Sequence, residues 1–437
     1  MSEIPKETND EAQITKDDNQ QSEQQTTEHP TKKKSTNYFF PIIVISILLF
    51  LYYIIFMRRT FIRSDERFPF FWDETLNKTL KKYVTIFPSR YILFLNGPYK
   101  SGKSRTLYQF SKDLNRKGRL VINFNFDSYS STLSILQQMK IDIQNALISV
   151  RPFLSSYSIK QAQLFNVESN RQMPIGLDQN LYGVYNNLIT PLDSIIQSLE
   201  ENKNISTSHV WEFVEILNKY HESLNPVIFV HNIDNLISDS KYPLFDIFRS
   251  CLIRKNLYED FVPIVIEIHD STLLYLEDQP ILNGFDSMNQ YRLVTTKGQL
   301  NESAADVLIR SRLFTSTEIR KLQREFGHHG GVWSDVLEDL RYGIKLETAV
   351  SNQQKRIEGH VRELIQDSKS SQSKLLEQKI SKLLSRLCRS RGNYFFPEKE
   401  VVNLLKNLYK YGYIYDDESM TTHLANKAVY RAICSSK

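Results

Sequence analysis

The sequence predicts an α/β protein built on a parallel sheet, and three observations support this. Short apolar runs alternate with helical stretches along most of the 437-residue chain, as a parallel sheet with crossover helices requires. A glycine-bracketed loop, GPYKSGKS, joins the first of these runs to a helical stretch. The composition, with 41% hydrophobic and 24% charged residues, is that of a globular protein and excludes collagen-like and wholly disordered chains.

The N-terminal part is predicted to lie outside the globular body. Residues 1–37 are polar and almost free of large apolar side chains, so they are expected to be disordered because they bury too little surface to offset the entropy of ordering. Residues 38–57 (YFFPIIVISILLFLYYIIFM) contain no charged side chain and have basic flanks. Twenty residues at helical rise span the hydrocarbon core of a bilayer. We therefore predict one transmembrane helix at 38–57, with a basic flank and linker at 58–90; a buried core helix and a signal peptide are the alternatives.

The loop after the first apolar run has the G-x-x-x-x-G-K-S pattern of a phosphate-binding loop. The run before it, YILFL at 91–95, is predicted to be a buried strand, and the stretch after it, RTLYQFSKDLNRKG, a helix. Glycine lets the backbone approach phosphate closely, and the amides at a helix N-terminus attract anions. Lys103 is expected to contact the β and γ phosphates and Ser104 to supply an oxygen to magnesium. The predicted nucleotide-binding residues are Gly97, Pro98, Tyr99, Lys100, Ser101, Gly102, Lys103 and Ser104.

The predicted cofactors are therefore ATP, or GTP, with Mg²⁺. A glycine turn with a surface lysine is the alternative interpretation of the same loop. Four further apolar runs predict the remaining strands, and the long interval between the first and second of these four is mostly helical by pattern. These runs are 120–126 (LVINFNF), 226–230 (PVIFV), 262–268 (VPIVIEI) and 291–294 (YRLV).

Several segments, in their order along the chain, resemble the archaeal-type ATPase family, a STAND relative of the AAA+ ATPases. They are the loop, PVIFV followed by HNIDNL, VPIVIEIHDS, and EFGHHGGVWSDVLEDL. Residues 373–434 resemble the winged-helix tail of that family, with a helix, a Tyr-Gly turn, a hairpin and a helix. The resemblance implies a P-loop NTPase domain with flanking helices at 91–298, a helical lid with connecting helices at 299–372 and a winged-helix-like domain at 373–437. It also implies that Gly330 and Gly331 let one helix pack near the nucleotide.

The chain departs from this family where the magnesium-binding acid is expected. In the family the third strand ends in Asp-Glu, which hold magnesium and activate water; here His231 and Asn232 occupy those positions, and neither supplies a carboxylate. Hydrolysis is therefore expected to be weak or absent, although an NTPase activity stays open. A shifted register would make Asp234 the acidic residue and magnesium ligand. After the fourth strand, His269 or Ser271 is the candidate for sensing the γ-phosphate.

These features predict a membrane-anchored nucleotide-binding protein that acts as a switch or scaffold. The alternatives are an active ATPase that remodels membrane-associated proteins and a DNA-binding winged-helix protein at a membrane. The expected partners are a nucleotide, the membrane through one transmembrane helix, an unidentified protein, and further copies of the chain in a homo-oligomer.

Nucleic acid is not expected to be a partner, because the basic residues near the C-terminus, Lys406, Lys410, Lys427 and Arg431, are few and mixed with acids. The body is expected to face the cytosol; the alternatives are the mitochondrial inner membrane facing the matrix and a nuclear or ER membrane. Three widely spaced cysteines make a disulfide scaffold and a zinc site unexpected.

Overall fold

The computed structural model describes residues 45–52, 63–71, 73–85, 89, 91–98, 100–126, 131–166, 171–201, 207–233, 262–268, 291–370, 374–389, 402–411, 413–416 and 422–435. The predicted disordered tail, Tyr99, Asp234, His269 and Ser271 lie outside these residues. The chain divides into two units, Met1–Phe61 and Ile62–Lys437. The sheet, the phosphate loop and the C-terminal helices all belong to the second unit.

The predicted transmembrane span lies mostly outside the described residues, since only 45–52 of it belongs to them, and these residues are helical. Within the described part of the chain, we find no helix with the length and apolar character needed to cross a bilayer.

A five-stranded sheet with the order β2-β3-β4-β1-β5 confirms the predicted α/β class, and all of its neighbouring strands are parallel. The strands β1, β3 and β4 are buried along their whole length, which explains why they read as continuous apolar runs. Each strand falls on a predicted run. The strands are β1 (Ile92–Asn96), β2 (Val121–Asn125), β3 (Val227–His231), β4 (Ile264–Glu267) and β5 (Tyr291–Thr295).

Helices cover both faces of this sheet. Successive side chains of a strand point to opposite faces, so neighbouring residues of β1 belong to different apolar clusters. On one face, Phe94 belongs to an apolar cluster with residues of α3 and α5. On the other, Leu93 and Leu95 belong to a cluster with Leu80 of α1 and Phe110 of α2. The helices of this half are α1 (Glu74–Thr85), α2 (Lys103–Asn115), α3 (Thr132–Val150), α4 (Ser156–Gln163), α5 (Gln179–Glu200), α6 (Thr207–Lys219) and α7 (His221–Leu224).

The C-terminal half is mostly helical, and one apolar cluster runs through it from Ala305 to Ile433. The predicted order of a helix, two antiparallel strands and a last helix is present, while a winged-helix fold stays a prediction. The elements are α8 (Glu302–Arg310), α9 (Ser316–Phe326), α10 (Gly330–Arg341), α11 (Leu346–Ser370), α12 (Lys374–Arg389), α13 (Val402–Lys410), β6 (Ile414–Asp416), β7 (Thr422–Leu424) and α14 (Lys427–Ser435).

A disulfide joins Cys388 and Cys434, which the cysteine spacing led us not to expect. The two residues are 46 positions apart in sequence, but their Cα atoms are 5.7 Å apart. They meet because α14 packs against α12. Sequence separation alone therefore gave the wrong expectation, since helix packing decides which cysteines are neighbours.

Two of the C-terminal basic residues contact α9. The Lys427 ammonium donates to the Gln323 carbonyl at 3.2 Å, and Arg431 donates to the Glu325 carboxylate at 3.0 Å. These charges therefore bind the last helix to the rest of the helical half.

Candidate functional site

The phosphate loop, residues 97–104, has a backbone that depends on its glycines. Gly97 has φ 147° and Gly102 has φ 89°, both in the region that favours glycine. A Cβ atom at Gly97 would lie 2.1 Å from the Thr296 carbonyl oxygen, which no side chain tolerates. Gly102 is the N-cap of α2, so the loop ends at the positive end of the helix dipole.

Lys103 lies inside this loop and is only 3% exposed. Its ammonium donates hydrogen bonds to the carbonyl oxygens of Gly97, at 2.8 Å, and Pro98, at 3.2 Å. A buried ammonium is costly unless its donors are satisfied, and the loop's own carbonyls accept from it here. The loop therefore presents a buried positive charge together with the amides of a helix N-terminus.

A cavity of about 860 Å³ opens beside the loop, within the range that holds a small molecule. Residues 100–104 of the loop line it, together with Glu267, the aromatic stretch 68–71, residues 298–301 and the start of α10. The hydroxyl of Ser101 is buried and has no hydrogen-bond partner among the described residues. An unsatisfied buried hydroxyl needs an acceptor or donor, and a phosphate oxygen in this cavity would supply one. The residues present thus fit a nucleotide.

Two glycines outside the loop, one after β5 and one in α10, allow the chain to pack tightly against it. A Cβ atom at Gly298 would lie 2.6 Å from the Ser101 Cα, and one at Gly331 would lie 2.3 Å from the Lys100 Cβ. Gly331 is in the first turn of α10, so the Gly-Gly pair begins this helix and does not end the helix before it. An ion pair reinforces this contact, since the Lys100 ammonium lies 2.6 Å from the Asp335 carboxylate on the same helix.

Glu267, the last residue of β4, is a site residue that the sequence analysis missed. Its side chain is buried, and Ser104 donates a hydrogen bond to its Oε1 at 2.7 Å. Its Oε2 lies 2.8 Å from His231 Nδ1. One signal is present in the sequence, because a single acid interrupts the apolar run VPIVIEI.

The environment of Glu267 favours its ionised form. Burial by itself would raise the pKa of this carboxyl, but the hydrogen bond from His231, the charge of Lys103 and the hydrogen bond from Ser104 outweigh it. The result is a pKa below the ordinary value for glutamate. A buried carboxylate is therefore present next to the serine that was predicted to bind magnesium.

His231 and Asn232 take different positions at the end of β3. His231 is the last residue of the strand and is buried. Asn232 follows it with φ 56° and donates a hydrogen bond to Asn125 at 2.9 Å. Asp234 lies outside the described residues, so its assignment stays a prediction.

The oxygens of Ser104 and Glu267 suit Mg²⁺, which prefers oxygen ligands and often combines one or two carboxylates with substrate phosphates. Within the described ranges, no group of three or more His, Cys, Asp or Glu side chains is arranged to hold a metal. The residues therefore fit a magnesium ion that arrives with a nucleotide. When bound, magnesium would neutralise phosphate charge.

The parallel sheet with flanking helices, and the loop between β1 and α2, fit the fold of an α/β P-loop NTPase. No family model and no curated protein matches the chain. Among solved structures, the chain is similar to the Walker-type ATPase PABY2304 of Pyrococcus abyssi at 15% identity, over 85% of this chain and 98% of that chain, with a TM-score of 0.47.

Proposed function

We propose that the chain is a P-loop nucleotide-binding protein that binds a nucleoside triphosphate with Mg²⁺ and acts as a nucleotide-dependent switch or scaffold at a membrane. The observation that carries this proposal is the phosphate loop, in which Lys103 is buried and the backbone at Gly97 and Gly102 leads into a helix N-terminus beside the cavity. Buried positive charge and helix amides together select a polyphosphate.

The contacts of the loop with the helical half support a switch. Lys100 in the loop pairs with Asp335 of α10, and Asp335 also pairs with Arg356 of α11 at 2.7 Å. A phosphate at the loop adds negative charge beside Lys100 and competes with Asp335 for its ammonium. Nucleotide state is thereby coupled to the position of α10, which is the basis of a two-state response.

The experiment that tests nucleotide binding is titration of the full-length protein, in detergent, with ATP and GTP by calorimetry. Lys103→Ala is expected to weaken binding by about ten-fold or more, the effect of losing one charged hydrogen bond. Lys112→Ala is the matched control, because Lys112 is an exposed lysine on the same helix, placed over the Tyr108 ring. Equal affinities of the two variants, or no binding by the unchanged protein, would contradict the proposal.

An active ATPase is the second candidate, and Glu267 favours it by supplying a carboxylate beside Ser104. Steady-state hydrolysis by the same preparations separates the two functions. A Lys103-dependent turnover of about 1 per second or faster lies in the usual enzyme range and would replace the switch by an ATPase.

Membrane attachment through residues 38–57 is part of the proposal and has its own test. Full-length protein is expected to float with liposomes in a density gradient. The double substitution Ile47→Arg and Leu49→Arg should abolish flotation, because each arginine at the centre of a membrane helix costs about 3 kcal/mol on insertion scales. Ser35→Arg, in the polar tail, is the control. Flotation of the double variant would remove the anchor from the proposal.

Structural disulfides persist in oxidising compartments, so the Cys388–Cys434 disulfide and a body that faces the cytosol make opposite predictions for the state of these cysteines in the cell. Alkylating the free thiols before lysis, followed by mass spectrometry of both cysteines, measures their state. Recovery of the pair as a disulfide would place the body in an oxidising compartment instead.

A further inference from the structure

The position of β4 in the sheet brings its end close to the phosphate loop. Because β4 lies between β1 and β3, it is the direct neighbour of the strand that leads into the loop. Glu267 is level with Leu95 of β1, two residues before Gly97. The carboxyl ends of parallel strands meet at the edge of the sheet where ligands bind. Glu267 therefore stands at the ligand-binding edge although it is one strand away from the position where the acidic pair was expected.

The hydrogen bonds of Glu267 hold each of its oxygens towards a different partner. Oε1 accepts from the Ser104 hydroxyl, and Oε2 faces His231 Nδ1. His231 in turn lies 3.4 Å from Asn123 Oδ1 of β2 through its other ring nitrogen. Glu267 is thus fixed from the side of β3, while Glu267 and Ser104 both line the cavity.

From this geometry we propose that Glu267 is the carboxylate of the Mg²⁺–nucleoside triphosphate site, in place of the acidic pair that β3 lacks, and that His231 is its positioning residue. The inference rests on the proposed function, because it needs a triphosphate at the loop. The ligand class is a divalent cation bound to a polyphosphate. Ser104, on α2, and Glu267, on β4, supply the protein oxygens, which are the hard ligands that Mg²⁺ prefers.

The test compares ATP affinity in excess EDTA with ATP affinity in excess Mg²⁺, using the full-length protein in detergent. In EDTA the Glu267 carboxylate repels the triphosphate, so Glu267→Gln is expected to bind ATP at least as tightly as the unchanged protein. The Mg²⁺ enhancement is the ratio of the ATP affinity in Mg²⁺ to the ATP affinity in EDTA. In Glu267→Gln this ratio is expected to fall by about ten-fold or more, as the affinity of metal sites does when a partner is removed. A residue with only a structural role would weaken binding in both media.

His231 is tested through its hydrogen bond to Glu267. His231→Leu removes the donor and is expected to reduce the Mg²⁺ enhancement several-fold without weakening ATP binding in EDTA. His231→Gln keeps a donor at similar reach and is expected to restore much of the enhancement. If the Mg²⁺ enhancement of ATP affinity falls equally in His231→Leu and His231→Gln, His231 is not the positioning residue.

Asp193→Asn is the matched control, because it removes another partly buried carboxylate, which pairs with Lys140 and Arg171. It is expected to leave both affinities unchanged. An unchanged Mg²⁺ enhancement in Glu267→Gln, or an equal loss in EDTA and Mg²⁺, would overturn the inference while leaving the proposed function intact. Absence of ATP binding by the unchanged protein in both media would instead overturn the proposed function and the inference with it.

Glu267→Asp keeps the inference testable if the glutamine variant does not fold. The shorter side chain retains the charge but withdraws it from the cavity. ATP affinity in EDTA should stay the same, and the Mg²⁺ enhancement should fall. An enhancement equal to that of the unchanged protein would count against Glu267 as the metal's carboxylate.

Discussion

Gly331 is a residue at which the helical half packs closely against the phosphate loop. A Cβ atom there would lie 2.5 Å from the Lys100 carbonyl oxygen as well as 2.3 Å from its Cβ. Since a backbone carbonyl cannot swing aside as a flexible side chain does, any residue larger than glycine must move either α10 or the loop. Close packing at this one residue thus connects nucleotide binding with the helical half.

We predict that Gly331→Ala weakens ATP binding and lowers the melting temperature. Gly359→Ala is the control, because Gly359 is also helical but a Cβ atom there meets nothing within 4 Å. That substitution is expected to stabilise the protein by up to about 1 kcal/mol, the difference in helix propensity between glycine and alanine. Differential scanning calorimetry and ATP titration of both variants measure the two effects. Equal behaviour of the two alanine variants would show that α10 does not press on the loop.

The helix α10, which carries Gly331, is preceded by a buried histidine. His329 is the N-cap, and its ring nitrogen Nδ1 accepts a hydrogen bond from the Val332 amide at 3.3 Å. Burial lowers the pKa of His329 to about 4, because the charged form is poorly solvated there. The cap thus requires the neutral ring, and α10 starts on a group that titrates below neutral pH.

The pH dependence of stability follows from this shift. In the unfolded chain the histidine takes up a proton near pH 6.5, whereas in the folded chain it does so near pH 4. The stability that the neutral ring contributes is therefore complete above pH 6.5 and is lost as the pH falls from 6.5 towards 4. The loss between pH 7.5 and pH 5 is expected to be about 2 kcal/mol.

His329→Asn keeps an N-cap acceptor and removes the titration, so the variant is expected to lose about 2 kcal/mol less than the unchanged protein over that interval. Urea unfolding at pH 7.5 and pH 5 gives the change in the free energy of unfolding between the two pH values, for the variant and for the unchanged protein. His328→Asn serves as the control for the neighbouring ring, and the same pH dependence in His329→Asn as in the unchanged chain would refute the assignment.

At the scale of the whole molecule, the last helix is held to the rest of the chain by covalent and ionic contacts. The disulfide between Cys388 and Cys434 closes a segment of 46 positions, and Arg431 of α14 pairs with Glu325 of α9 and Glu358 of α11. Both sets of contacts fix α14 against helices that share one apolar cluster with α10. The C-terminal segment therefore adds stability to the half of the protein that touches the nucleotide loop.

Reduction of this disulfide is expected to destabilise the protein. A loop of this length corresponds to about 4 kcal/mol of lost chain entropy in the unfolded state, and measured values are commonly about 2–4 kcal/mol. Thermal unfolding with and without dithiothreitol measures the effect, and the double substitution Cys388→Ser with Cys434→Ser should reproduce it and abolish the response to reductant. The variant keeps the third cysteine, Cys251. If its melting temperature still changes with dithiothreitol, the effect of the reductant does not come from the Cys388–Cys434 disulfide, which would contradict the prediction.

The sequence by itself determined the class of the fold and the position of the loop. Five apolar runs became five parallel strands, and GPYKSGKS became a turn at the head of α2, because both features depend on local periodicity and on the backbone freedom of glycine. Only the tertiary structure decided the long-range contacts. Glu267 is hydrogen-bonded to Ser104 and His231, Gly331 packs against Lys100, and Cys388 is bonded to Cys434. Those contacts depend on strand order and helix packing, which bring together residues far apart in the chain. A single acid in an apolar strand, or two cysteines 46 positions apart, acquires its meaning only from the neighbours that the fold provides.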